Sequence, residues 1–109
     1  MKIALRRQKI RLSTLLEQRT EAQTSDERME ANRLTKEIAN LVLKPLKLYG
    51  DADTPKLVAE LAQGLADFTK AGRFGPEVSA IEAVDAVATE RGLDPHIPAE
   101  VAERLSKLV

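Results

Sequence analysis

The chain has 109 residues, 17 basic and 17 acidic side chains, and no cysteine. This length is typical of one domain with its own hydrophobic core, and the lack of cysteine excludes disulfides and thiolate metal sites. The single histidine leaves little imidazole chemistry, and no apolar run is long enough to span a membrane. Basic residues interrupt any apolar stretch that could act as a signal peptide. We therefore expect a soluble protein of the cytoplasm or of a virus particle, and not a secreted one.

The charges are unevenly distributed along the chain. Residues 1–16 hold five basic side chains and no acidic one, whereas residues 51–109 hold 11 acidic and six basic side chains. The net charge of zero is thus a cancellation between a basic N-terminal segment and an acidic C-terminal half. An electrostatic field divided in this way usually indicates how a protein meets its partners and says less about its fold. The basic residues of the first segment are Lys2, Arg6, Arg7, Lys9 and Arg11.

The basic segment is predicted to be a helix from Lys2 to about Ala22. At about 100° per residue, several of its side chains share one face suited to a core. They are Ala4, Leu5, Gln8, Leu12, Leu15 and Leu16. Ile3 and Ile10 lie on a different face, bordered by basic side chains. Because a second apolar line is unusual for a helix with one buried side, we expect it to be surface that the folded monomer does not need.

A second helix is predicted to end near Leu43. Thr24 and Glu27 have the spacing of a capping box at its start, and Pro45 disfavours helix at the residue before it. The apolar stripe between these limits follows a heptad-like spacing and comprises Ala31, Leu34, Ile38, Leu41 and Val42. Residues 1–48 are therefore predicted to form an antiparallel helical hairpin.

The hairpin pattern consists of a basic, apolar first arm, a Thr-Ser-Asp-Glu turn at residues 24–27 and a heptad-like second arm. It resembles the helical hairpins of viral scaffolding segments, and it also resembles many unrelated short coiled coils. The resemblance covers only the hairpin and includes no diagnostic motif, so it implies no functional residue.

Three further helices are predicted in residues 49–109. Their limits are marked by proline at the start and glycine after the end: Thr54-Pro55 to Gly72, Gly75-Pro76 to Gly92, and Pro98 onwards. Their apolar stripes comprise Leu57, Val58, Leu61, Leu65 and Phe68, then Val78, Ile81, Val84, Val87 and Ala88, then Val101, Ala102, Leu105 and Leu108. The prediction is an all-α fold of about five helices in a single domain, with a hairpin at residues 1–48 and an acidic three-helix segment at residues 49–109.

Residues that could support catalysis or bind a metal are isolated in the sequence. Asp51 and Asp53 precede the third helix, but Ca²⁺ needs six to eight oxygen ligands and no EF-hand spacing follows, so turn and capping roles explain them better. Glu82 and Asp85, with Glu77 nearby, indicate an acidic solvent face unless a pocket separates their pKa values. With no phosphate-binding loop or nucleophile motif, we expect no enzyme, no metal and no cofactor. His96 lies between two prolines, and a surface or capping role is expected for it.

The turn between the fourth and fifth helices invites comparison with a helix-turn-helix. A recognition helix presents its N-terminal residues to base edges beside phosphates. Asp94, Glu100 and Glu103 would repel those phosphates, while Arg104 and Lys107 come late and suit the C-terminal end of the helix dipole. DNA reading by this element is therefore not expected.

The basic first helix could meet nucleic acid, an anionic membrane, an acidic protein face or only solvent. It lacks aromatic side chains for stacking on bases or anchoring in a membrane, which favours protein. We expect a small non-enzymatic helical protein that binds other protein, as a homodimer, an assembly subunit, an adaptor or an inhibitor-like binder. The alternative is a nucleic-acid accessory protein that contacts phosphates through the same helix. The candidate partner-binding residues are Lys2, Ile3, Arg6, Arg7, Lys9, Ile10 and Arg11.

Overall fold

The computed structural model describes residues 2–24, 28–48, 53–73, 75, 77–94 and 97–109, with the side chains of the first helix described from residue 5 to residue 22. The described residues form α1 (Lys2–Thr24), α2 (Arg28–Leu43), α3 (Thr54–Lys70), α4 (Ala80–Arg91) and α5 (Ala99–Leu108), with a 3₁₀ turn at Lys44–Leu46 and no strand. The all-α prediction is confirmed, with 83% of the structure helical.

The first two helices pack against each other as an antiparallel hairpin. Arg19 of α1 donates a hydrogen bond to Thr35 of α2, whereas Arg11, earlier in α1, contacts Glu37, later in α2. The predicted heptad-like stripe of α2 faces the core, with four of its five side chains buried. The predicted capping turn covers residues 24–27. Thr24, the predicted cap, is the last residue of α1, and residues 25–27 lie outside the described residues.

Pro45 ends α2 as predicted, since the α-helix stops at Leu43 and a 3₁₀ turn follows. Proline has no backbone N–H to donate to the carbonyl four residues earlier, which is that of Leu41. The guanidinium of Arg104 on α5 donates to this Leu41 carbonyl at 3.0 Å and to the side-chain oxygen of Gln8 on α1 at 3.1 Å. One side chain of the last helix therefore bonds to both arms of the hairpin.

Helices α3 and α5 follow the prediction closely, and α4 begins later than predicted. Pro55 lies in the first turn of α3, and Gly72 and Gly92 take positive φ values of 68° and 66° just after α3 and α4. The prediction that Gly75-Pro76 opens the fourth helix is wrong. The Ser79 hydroxyl accepts the Glu82 backbone N–H at 3.2 Å, and this cap starts the helix at Ala80.

All five helices contribute to one hydrophobic core. α3 packs on α2, α4 packs on α3 and α5, and α5 also reaches α1, α2 and α3. Among the described residues, the core is aliphatic except for Phe68. Its larger, nearly solvent-inaccessible side chains are Leu12, Leu15, Leu34, Ile38, Val42, Val58, Leu61, Val87, Val101, Leu105 and Leu108. The hairpin therefore shares its core with the three helices that follow it.

A glycine inside α3 permits the close approach of α4. A Cβ atom placed on Gly64 would overlap the Val87 side chain and lie 2.9 Å from Nε of Arg91. Glycine costs helix stability relative to alanine, so its presence here is explained by packing. The contact places Arg91 beside α3, where it joins the ion pairs described below.

Candidate functional site

The described residue of the second apolar line of α1, Ile10, lies on the outer surface of the molecule. Ile10 is 62% exposed, and at 100° per residue it points about 160° away from the buried Leu12. The Ile3 and Lys2 side chains lie outside the described part of α1, although the backbone of both residues is helical. Ile10 is thus an apolar side chain that the folded chain leaves in contact with solvent.

Basic side chains flank Ile10 on both sides. Arg6, Arg7 and Lys9 are exposed, and none of them forms an ion pair with the side chains that the structure describes. Arg11 differs, because it lies 3.4 Å from the Glu37 carboxylate of α2. The basic face is defined here as Arg6, Arg7, Lys9 and Ile10. Its three cations therefore face solvent without a described carboxylate partner.

A groove begins at Ile10 and runs between α1, α3 and the end of α5. Its volume is about 600 Å³. Its apolar lining residues include Leu12, Leu16, Ala66, Leu108 and Val109. Its charged lining residues are Lys9, Lys70, Glu17, Glu21 and Asp67. Ile10 is therefore the exposed end of a larger apolar concavity, and not an isolated surface residue.

A second mixed surface lies on α4 and the segment before it. Ile81 is 51% and Val78 is 36% exposed, although the helical period grouped both with the apolar stripe of the fourth helix. Glu77, Glu82 and Asp85 surround them, are exposed and form no ion pair with the described side chains. The acidic face is defined here as Glu77, Val78, Ile81, Glu82 and Asp85.

The carboxylates considered for catalysis or metal binding are not brought together in a cavity. Glu82 and Asp85 belong to the exposed acidic face, and Asp53 is the N-cap residue of α3. Asp51 and His96 lie outside the described residues. Within the described part of the chain, no group of three or more His, Asp or Glu side chains could hold a metal ion.

A partly buried ion-pair network is the feature that the sequence pattern did not predict. Arg19 is only 4% exposed; its guanidinium lies 2.6 Å from the Glu60 carboxylate and donates to Thr35 at 2.8 Å. Arg91 approaches Glu60 at 2.9 Å and Asp67 at 3.2 Å. The network joins α1, α2, α3 and α4. Its one signal in the sequence is that Arg19 follows Leu12 by seven residues, which places a charge on the buried face.

The network changes the acidity of its central carboxyl group. Burial raises the pKa of Glu60, but the hydrogen bond and charge of Arg19, followed by those of Arg91, lower it more. The net result is a pKa below the ordinary value of 4.5. Glu60 therefore remains ionised at neutral pH and acts as the anion that joins the two guanidinium groups. This arrangement is structural, because all of its charges are paired with one another.

Comparison with known proteins finds no matching family, no matching curated protein and no matching solved structure. None of the helices in the described residues is both long and apolar enough to cross a membrane. The site must therefore be interpreted from its own geometry, in which the basic face with its groove and the acidic face each combine exposed apolar side chains with several unpaired charges. Met29 on α2 is also exposed, to 88%, but it does not line the groove.

Proposed function

We propose that this is a small non-enzymatic helical protein that acts by binding another protein, with the basic face of α1 as its docking surface. Docking of this kind suits an assembly subunit, an adaptor or an inhibitor-like binder in the cytoplasm or in a virus particle. The observation that carries the proposal is Ile10, which is 62% exposed at the mouth of an apolar groove and is flanked by unpaired cations.

The combination of side chains favours a protein partner over solvent alone. A single exposed aliphatic residue is normal on a protein surface. Ile10, however, is continuous with a groove of about 600 Å³ whose lining includes leucine, alanine and valine residues together with polar and charged ones. Arginine is enriched at protein interfaces, and Arg6 and Arg7 have no partner among the described side chains. Apolar area with a charged rim is the usual composition of such an interface.

Nucleic-acid binding is the alternative, because Arg6, Arg7 and Lys9 are free to contact phosphates. An electrostatic contact of this kind loses affinity steeply as salt rises. The described face of α1 has no aromatic side chain to stack on a base, and Ile10 occupies its centre. Phosphate binding depends on charge and hydrogen bonds, so it does not explain an exposed apolar side chain beside a groove. Protein is therefore the better match.

Photo-crosslinking from the centre of the basic face tests the proposal. In the cells that produce the protein, Ile10→benzoylphenylalanine is expected to give adducts with protein, and adding Arg6→Glu and Arg7→Glu is expected to reduce their yield. The matched control is Glu103→benzoylphenylalanine on the exposed side of α5, which should give few adducts. Adducts removed by nuclease would support the nucleic-acid alternative instead. Equal yields from the two positions would refute docking at this face.

A gel-shift titration separates the two alternatives with purified protein. The protein-binding proposal expects no retained duplex DNA or single-stranded RNA at 50 mM salt. Retention that weakens steeply with salt, and that Arg6→Glu with Arg7→Glu abolishes, would identify phosphate as the ligand. Glu100→Lys with Glu103→Lys on α5 serves as a control for a nonspecific effect of net charge.

A further inference from the structure

The acidic face, on α4 and the segment before it, combines exposed apolar and charged side chains as the basic face does, with the opposite charge. Ile81 and Val78 are its exposed apolar side chains, and Glu77, Glu82 and Asp85 are its charges. The apolar residues matter here, because carboxylates alone would be an ordinary solvated surface. Ile81 lies one turn before Asp85 on α4, so the two side chains share one face of that helix.

The charges on the two faces match in number, and both sets are unpaired. The basic face has three cations, Arg6, Arg7 and Lys9. The acidic face has three carboxylates, Glu77, Glu82 and Asp85. None of these six side chains forms an ion pair with another described side chain. Other charged residues of α4 are already paired within the molecule. Glu90 contacts Arg73 at 2.8 Å, and Arg91 belongs to the partly buried network. On α4, the unpaired charges are therefore the two carboxylates that lie near Ile81.

The two faces do not meet within one molecule. α1 packs against α2, α3 and α5, whereas α4 packs against α3 and α5, and no ion pair between described side chains joins the basic face to the acidic face. A contact between them requires two copies of the chain. Complementary surfaces steer association and fix its orientation.

We infer that the partner of the basic face is a second copy of this chain, which docks the acidic face of its α4 there. This inference rests on the proposed function and identifies its partner. Ile81 of one copy packs on Ile10 and the groove of the other, and carboxylates of the first copy face Arg6, Arg7 and Lys9 of the second. Since each copy presents both faces, the contact is heterologous. Repetition of this contact joins copies into a closed ring or an open chain. A dimer forms instead if a two-fold axis lets each copy bind the acidic face of the other at the same time.

Charge reversal on each face is the direct test, with mass measured by light scattering over a concentration series at 50 mM salt. Arg6→Glu with Lys9→Glu is expected to weaken self-association at least tenfold, as is Glu82→Lys with Asp85→Lys, because like charges then oppose each other. An equimolar mixture of the two variants is expected to associate again, since the acidic and basic faces of different copies are complementary. Glu100→Lys with Glu103→Lys, on exposed positions of α5, should leave association unchanged.

The outcomes separate this inference from the proposed function. A wild-type chain that stays monomeric at millimolar concentration overturns the inference, and so does a mixture of variants that fails to associate although each retains the wild-type circular dichroism spectrum. If the chain is monomeric and Ile10 still crosslinks to a different protein, the proposed function stands without self-association. If the chain is monomeric and Ile10 gives no protein adduct, both fail.

Discussion

Lys47 adopts a φ of 56°, in the left-handed region that a side chain with a Cβ atom disfavours. It follows the 3₁₀ turn at the end of α2, where its N–H donates to the Lys44 carbonyl at 3.0 Å and the next N–H, of Leu48, reaches the Leu43 carbonyl at 3.3 Å. Gly72 and Gly92 end α3 and α4 with the same pair of bonds. Within the described residues this termination geometry occurs three times, and at Lys47 it is adopted by a residue with a Cβ atom instead of by glycine.

We expect Lys47→Gly to stabilise the protein by about 0.5–1 kcal/mol, because relief of the left-handed strain exceeds the added entropy of the unfolded chain. Urea unfolding followed by far-ultraviolet circular dichroism measures the change. Lys47→Ala is the matched control, since it removes the same side chain but keeps the Cβ atom, and it should give no gain. Equal stabilisation by both variants would mean that the lysine side chain, and not the backbone, is responsible.

At Lys47 glycine would suit the backbone better than the residue present. At Gly64 glycine is already present, and the packing leaves no room for a side chain. Gly64→Ala improves helix propensity by about 1 kcal/mol, yet the new Cβ overlaps Val87 and crowds Arg91. Overpacking typically costs about 1–3 kcal/mol, so we expect a net loss of about 1 kcal/mol or more in urea unfolding. Gly75→Ala, where no atom lies within 4 Å of the added Cβ, should change stability by less than about 0.5 kcal/mol. A stabilised Gly64→Ala variant would contradict the close packing of α3 on α4.

At the scale of the element, the end of α2 depends on a side chain from α5. Pro45 leaves the Leu41 carbonyl without the N–H donor of a continuing helix, and Arg104 supplies a donor at 3.0 Å. The arrangement is not ideal for the arginine, because its Nε atom is buried without a partner and burial lowers the pKa of its guanidinium. Burial of the guanidinium is unfavourable because the charge is desolvated. The hydrogen bonds of Arg104 to Gln8 and Leu41 nevertheless join α5 to both arms of the hairpin.

Arg104→Met is expected to destabilise the protein by about 1–2 kcal/mol, because the Leu41 carbonyl loses its donor. In a Pro45→Ala background, the new N–H at position 45 can donate to that carbonyl, so the cost of Arg104→Met should be smaller. A thermal-denaturation double-mutant cycle measures this difference. Lys107→Met, on an exposed position of the same helix, controls for loss of a charge near the C-terminus. Equal costs in both backgrounds would show that Arg104 acts by other contacts.

At the scale of the whole molecule, the Arg19–Glu60–Arg91 network links four helices through one carboxylate. Because the pKa of Glu60 is lowered by folding, its ionised form contributes stability that is fully present above the ordinary value of 4.5 and is lost as pH falls from there through the folded-state pKa. The network therefore makes the fold sensitive to acid. Nearly complete burial of Arg19 makes its charge costly once Glu60 is neutral.

We expect Glu60→Gln to destabilise the protein by about 2–3 kcal/mol at pH 7, less than the roughly 3–5 kcal/mol for a fully buried pair, because Glu60 keeps 23% of its side-chain exposure. The difference from wild type should shrink as pH falls below 4.5, where Glu60 of the wild type becomes protonated. Urea unfolding between pH 3 and pH 7 measures both effects. Glu90→Gln removes an exposed pair with Arg73 and should cost no more than about 1 kcal/mol. A difference for Glu60→Gln that stays constant with pH would refute this role.

The sequence by itself determined the helices, because the spacing of apolar residues and the positions of proline and glycine are local properties of the chain. The bounds of α3 and α5, the end of α2 before Pro45 and the buried stripe at Ala31, Leu34 and Ile38 all follow from such signals. The exception is the start of α4. There, Gly75-Pro76 suggested an earlier helix, and the hydroxyl of Ser79 caps the backbone four residues further on.

Only the tertiary structure decided which charges are paired and which apolar residues stay exposed. Arg19 meets Glu60, 41 residues away, because α1 and α3 are brought together by a core that no local pattern describes. Ile81 has the periodicity of a buried residue yet is 51% exposed, because α4 is covered by α3 and α5 on one side alone. Pairing and exposure depend on contacts between distant segments, and those contacts leave Ile10 with its cations, and Ile81 with its carboxylates, facing solvent.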